Sequence, residues 1–180
     1  SVIDELPPGR KDIKTFYFEE KNAKKAYKIA EEQIKIGRQV YVVYPIIEDS
    51  EKSDLRAATK MHKELAGLFP DIKVGLLHGR MKSQEKEAIM KDFKDKRIDM
   101  LVSTIVIEVG VDIPNASTII IEHAERFGLS QLHQLRGRIG RGEYASYCIL
   151  IADPKTEDAQ RRISAMLKTQ DGFKIAEEDL

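Results

Sequence analysis

Residues 99–121 read DMLVSTIVIEVGVDIPNASTIII. The stretch opens on an apolar run, Asp99–Ser103, and closes on a second, Ser117–Ile121, whose Thr118–Ile121 core has no polar alternation. Between them lies a loop in which Ser103, Thr104, Glu108, Gly110 and Asp112 are spaced through apolar neighbours. Short, continuous β-branched runs of this kind suit strands covered on both faces, as in a parallel sheet between two helical layers. The reading predicts an α/β fold.

Working outward, further runs at Thr15–Phe18, Val40–Tyr44, Lys73–Leu77 and Tyr147–Ala152 alternate with amphipathic charged stretches. Helices are predicted over Asn22–Ile36, Asp54–Leu68, Ser83–Asp95, Ser130–Leu135 and Lys155–Leu167. In the first, Ala23, Ala26, Tyr27, Ala30 and Ile34 recur at helical spacing and Gly37 stands where a stop belongs. The third opens on Ser83 as an N-cap with acids in its first turn. Strand after helix after strand implies right-handed crossovers and a mostly parallel sheet.

Composition narrows the class. The chain has 180 residues, 42% hydrophobic and 33% charged, with 30 basic residues balancing 30 acidic ones. That is enough for one core and too apolar for a disordered chain. No apolar run approaches the roughly 18 residues of a membrane helix, and no signal-peptide pattern is present, so no membrane partner is expected. The one cysteine, Cys148, excludes a disulfide framework and a cysteine-based zinc site, and favours a reducing, cytoplasmic setting. It lies in an apolar run and reads as core. His62, His78, His123 and His133 show no paired ligand spacing, so no metal site is expected. The opening SVIDELPPGR reads as an extended connector and DGFKIAEEDL at 171–180 as a weakly patterned acidic tail, so the chain is expected to be a domain of a longer protein.

Ligands of α/β sheets sit beyond the carboxyl ends of strands, which directs attention to Leu77–Arg80, Ser103–Pro114 and Gln131–Gly142. The last, QLHQLRGRIGRG, places Arg136, Arg138 and Arg141 among three glycines, and no acid occurs from Arg126 through Gly142. A structural arginine is usually matched by a carboxylate, so clustered arginines with glycines point to backbone brought near an anion such as a phosphate. Taken alone, the segment could equally be a solvated basic turn. Taken alone, Gly110–Pro114 could be a tight turn whose aspartate bonds its own backbone.

Together, STIVIEVGVDIPNA at 103–116 and QLHQLRGRIGRG at 131–142 resemble motifs V and VI of superfamily 2 helicases, and Val40–Glu48 resembles motif IV. The chain is similar to the second RecA-like domain of that superfamily along essentially its whole length. RFGLSQLHQLRGRIGRG, Glu108–Val111 and the 171–180 tail resemble the RecG branch, with the transcription-repair coupling factor as a related alternative. The resemblance implies a RecA-like three-layer sandwich over 13–153, an interdomain linker over 1–12 and part of a translocation-motif helical hairpin over 154–180. It implies an ATP-dependent double-stranded DNA translocase acting on replication forks and Holliday junctions.

Residue by residue, the motif VI pattern falls on Gln134, Gly137, Arg138 and Arg141. Arg141 is expected to be the arginine finger and Arg138 a second contact to the nucleotide phosphates. Asp112 matches the motif V acid that bonds the ribose, with Gly110 permitting the turn. Thr104, Ser103, His78, Gly79 and Arg80 match contacts to the phosphates of the tracked strand. Glu108, Arg136 and Arg162 are expected to couple these parts, Arg136 by supporting a neighbouring loop or DNA. No G-x-x-x-x-G-K-[ST] run occurs, and Asp4-Glu5 precedes a proline-rich connector where an acidic box would follow a strand. ATP with Mg2+ is therefore expected to be bound mainly by a first RecA-like domain of the same polypeptide, alongside a wedge domain. The 180-residue chain alone is expected to be inactive. A stand-alone nucleic-acid-binding module without motor activity is the competing class.

Overall fold

The computed structural model describes residues 13–45, 51–104, 112–140 and 142–169. Glu108, Gly110, Arg141, the 1–12 connector, the 171–180 tail and the motif IV residues after Pro45 lie outside the described residues.

Six strands form one sheet: β1 (Ile13–Phe18), β2 (Gln39–Val43), β3 (Val74–Leu77), β4 (Met100–Ser103), β5 (Ala116–Ile121) and β6 (Ser146–Ile151). Their order is β1-β6-β5-β2-β4-β3, and every pairing is parallel. Among the described residues four helices connect them, α1 (Ala23–Lys35), α2 (Glu51–Leu68), α3 (Ser83–Lys94) and α4 (Leu129–Arg136), and a fifth, α5 (Glu157–Lys168), follows β6. The steps β1 to β2 and β2 to β3 run one way across the sheet; those from β3 to β4 and from β5 to β6 run back. Right-handed crossovers must then place α1 and α2 on one face and α3 and α4 on the other.

The core follows that division. Ala26, Tyr27 and Ala30 of α1 and Ala58 and Leu65 of α2 pack with Val40, Val42, Met100, Val102 and Ile120. Phe93 of α3, Leu132 and Leu135 of α4, and Ile163 and Met166 of α5 pack with Tyr41, Val43, Leu101, Ile119 and Ile121. Alternate residues of β2 thus serve opposite layers, as the two-residue period requires. Each fully buried aliphatic or aromatic side chain contributes roughly 1.5–3 kcal/mol, which explains why strands without polar alternation are stable here. The three-layer α/β sandwich read from the runs is present. Helix α5 shares the α3 and α4 core.

Local details differ in two places. Lys82, not Ser83, occupies the N-cap of α3, and no side chain caps it; Ser83 is the first helical residue. Its hydroxyl is one position too late to accept from the first turn, and the acids the sequence placed there supply the favourable charge instead. Helix α2 begins at Glu51, three residues before the predicted Asp54.

Candidate functional site

The candidate residues divide between the two ends of the sheet. β3 and β4 deliver His78–Arg80 and Ser103–Thr104 to the carboxyl ends, as expected. Helix α4 runs back from the carboxyl end, so Gly137–Gly142 precede β6 and lie at the amino ends; Asp112–Pro114, which precede β5, join them there. This corrects the carboxyl-end expectation for those two segments, because the return direction of a βαβ unit places the loop after its helix at the opposite edge.

At the amino ends, Arg138 is half-buried and follows α4 in a turn closed by its own amide, which donates to the Leu135 carbonyl at 3.0 Å. Ile139 is fully buried and Gly140 takes φ 78°, a left-handed conformation that a side chain would strain. Asp112 is exposed across from it. Burial raises the Tyr41 hydroxyl pKa far above its usual value, and the Arg138 charge lowers it while the Asp112 charge raises it. Gly142 and Pro114 meet backbone to backbone, so the loops that carry Arg138 and Asp112 adjoin at this edge. Gln134 is exposed on α4. A cation and a carboxylate on adjoining loops at an open edge suit the rim of a nucleotide held by another surface.

Arg136 behaves differently from its neighbours. It is 2% exposed, and its guanidinium donates to the Thr15 hydroxyl at 3.1 Å, the Met166 carbonyl at 2.9 Å, and both the carbonyl and hydroxyl of Thr169. Its other amino group lies 3.0 Å from His133 Nδ1, which must accept, so the His133 proton sits on Nε2. Carbonyls left open at the end of α5, together with hydroxyls, are among the partners of the Arg136 charge. Of the two roles expected for Arg136, support of a neighbouring segment is the one these contacts favour.

At the carboxyl ends, the Thr104 amide donates to the Leu77 carbonyl at 3.1 Å and the Tyr44 amide to the Ser103 carbonyl at 2.9 Å, so β2, β3 and β4 end in register. The turn after β3 is closed by the Met81 amide on the His78 carbonyl and the Arg80 amide on His78 Nδ1, each at 3.3 Å. Gly79 and Arg80 are exposed and His78 is half-buried. Ser103 is fully buried and Thr104 is 6% exposed. The surface offered here is the turn.

Sequence spacing missed a third group. Glu20, His123 and Glu125 come together beyond β1 and β5, with His123 Nδ1 2.9 Å from Glu20 Oε1. These residues are a hundred positions apart, so only the sheet order could reveal them. Arg162 of α5 closes this edge by donating to the Glu125 carbonyl at 2.8 Å and pairing with Asp158. Nearby Glu122 is buried, its pKa raised by desolvation and opposed by a 2.6 Å hydrogen bond from Tyr27. Cys148 is fully buried, and burial pushes its thiol up to about 12, which makes it inert at neutral pH. Hollows of about 520 Å³ under Tyr17 and α5, and about 700 Å³ between α1 and α2, are lined by none of the candidate residues.

Comparison with known proteins accounts for this arrangement. Residues 22–143 match the family described as the helicase conserved C-terminal domain. The chain is 54% identical over its whole length to the ATP-dependent DNA helicase RecG of Synechocystis and 52% identical to that of Aquifex aeolicus, covering 22% and 23% of those proteins. It is similar in structure to RecG bound to a three-way DNA junction, with a TM-score of 0.81, 42% identity, 98% of this chain and 23% of that one. The C-terminal domain of the DEAD-box protein Dbp5 shares the fold alone, at 23% identity and a TM-score of 0.58, over 87% of this chain and 84% of that one. The chain thus spans about a quarter of the length of the curated relatives it matches.

Proposed function

Because the chain belongs to the helicase conserved C-terminal domain family, we propose that it is the second motor domain of an ATP-dependent double-stranded DNA translocase of the RecG type, one that drives branch migration and stalled-fork regression. The observation that carries the reading is the backbone contact of Gly142 with Pro114, which joins the loop after Arg138 to the loop after Asp112 at an open edge. That geometry is half of a nucleotide site. The sequence has no phosphate-cradling P-loop, so the other half belongs to a preceding RecA-like domain, which would bind ATP with Mg2+.

In this reading each end of the sheet has its own task. Arg141 is the finger and Arg138 the second phosphate contact, placing positive charge where it builds up during phosphoryl transfer. Asp112 accepts from the ribose, and Gly110 and Gln134 complete that rim. His78, Gly79 and Arg80, with Thr104, grip the backbone of branched DNA without reading its sequence, as a motor must. Ser103, at the end of β4, belongs to the same grip. The sheet joins both ends through strands of four to six residues, roughly 13–20 Å at about 3.3 Å per residue. Glu108, Arg136 and Arg162 connect motif VI and the β5 edge to α5, the start of the translocation hairpin expected over 154–180. Partners are the first RecA-like domain and a wedge domain of the same polypeptide, in the cytoplasm.

The test uses the full-length protein. Arg141→Ala is expected to lower DNA-stimulated ATP hydrolysis by about a thousandfold or more, the scale of a lost arginine finger, with the thermal unfolding midpoint unchanged. Undiminished hydrolysis by that variant, or ATP turnover by the purified 180-residue chain with DNA, would exclude the half-site reading.

A further inference from the structure

The turn that carries Arg138 is anchored at its start by the buried Arg136 and Ile139. Its far end has a second anchor, to which Arg38 and Tyr144, outside the motif V and VI stretches, contribute. A Cβ on Gly142 would lie 2.8 Å from the Pro114 carbonyl oxygen, so the two loops touch backbone to backbone and only glycine permits the approach. Two residues on, the Tyr144 ring lies under the Arg38 guanidinium, whose Cζ is 3.1 Å from the ring centroid. Arg38 also donates to Asn115 Oδ1 at 3.5 Å. Asn115 in turn donates from Nδ2 to the Gly37 carbonyl and to Gln39 Oε1, each at 3.0 Å, and its carbonyl accepts from the Gln39 amide at 3.0 Å. Gln39 is 2% exposed and donates to the Phe93 and Ile98 carbonyls, so this chain of contacts ends in the core.

We propose that Arg38 and Tyr144 are positioning residues that clamp the end of the arginine-bearing loop against the Asp112–Asn115 loop, holding the two sides of the nucleotide rim at a fixed separation. The inference rests on the half-site reading above. An arginine that stabilises developing charge must be in place before the reaction, because reorienting it at that moment would cost what it supplies. A loop tethered only at Arg136 could swing about that point. One tethered at both ends cannot, and the second tether is fastened to the loop that bears the ribose-binding acid. The ring under the guanidinium makes the tether directional, and a planar cation on an aromatic face tolerates replacement of tyrosine by phenylalanine but not by leucine.

The experiment is steady-state ATP hydrolysis by the full-length protein with DNA present. Tyr144→Leu is expected to lower kcat about tenfold, less than the hundredfold a 1 Å misplacement can cost, with KM for ATP within about twofold of the parent. Tyr144→Phe is expected to retain the parental kcat, a rescue that a general packing role would not need. Parental kcat in Tyr144→Leu, or equal impairment of the Phe and Leu variants, overturns the proposal. Should Tyr144→Leu fail to fold, Arg38→Met decides: the same kcat loss supports the clamp and an unchanged kcat removes it. Arg138→Ala, measured in parallel, separates the two levels of inference. If it hydrolyses ATP normally, the half-site reading has failed and the clamp with it; if it is inactive while Tyr144→Leu is unimpaired, the clamp alone has failed.

Discussion

The two ends of the sheet are built to different standards. At the amino ends, the loop bearing Arg138 is pinned by a buried arginine with hydrogen bonds to two other segments, β1 and the end of α5, by the fully buried Ile139 and by backbone contact between Gly142 and Pro114. At the carboxyl ends, the exposed turn His78–Arg80 is closed by a few bonds within itself. The contrast matches the demands of the proposed chemistry. Stabilising charge in a transition state depends on fixed geometry, whereas gripping a repeating phosphate backbone requires only charge at roughly the right place.

The largest expected effect breaks the better-built end. Arg136→Met leaves two carbonyls and two hydroxyls without this donor, and should cost about 3 kcal/mol of stability, the scale for breaking a buried charged network. Chemical unfolding of the 180-residue chain measures it, and a loss below 1 kcal/mol would mean that the end of α5 is held by packing alone. Arg80→Ala at the opposite end should leave stability unchanged. It should weaken DNA binding by the full-length protein several-fold on any sequence, and reduce the salt dependence of log K by about one phosphate contact. A sequence-dependent loss in a binding titration would contradict the backbone-gripping role.

The smallest effect is a slope. Burial raises the Glu122 pKa above its ordinary 4.5, so the folded state holds the proton more tightly than the unfolded chain. Stability from that proton is complete below 4.5 and is lost as pH rises through the folded value. Glu122→Gln, which can still accept from Tyr27, should remove this fall, so melting temperatures just above pH 4.5 decline less steeply than in the parent. Identical pH profiles would show that solvent reaches Glu122.

Much of the fold was legible because its signals are local. All six strands and all five helices fall within a few residues of the predicted runs, since a continuous β-branched run and a three-to-four spacing each dictate one backbone state. The miss at the start of α2 is also local, since Glu51–Ser53 carry no apolar periodicity. The candidate site was legible as residue types and motif order. Its division between two sheet ends was not, because that depends on α4 ending before Gly137 and returning the chain to the amino ends. Arg136 shows the limit plainly: an acid-free neighbourhood in sequence suggested an anion, and its partners include carbonyls from residues 30 and 33 positions away.

By itself the sequence determined the alternation of strands and helices, the core role of Cys148 and the presence of the motif V-like and motif VI-like stretches in order, since each depends on near neighbours in the chain. Only the tertiary structure decided that β6 inserts between β1 and β5, that Arg136 faces inward while Arg138 reaches the edge, and that Arg38 stacks on Tyr144. Those facts rest on contacts between residues roughly a hundred positions apart. Their pairing is chosen by what the whole core can bury, which no local pattern encodes.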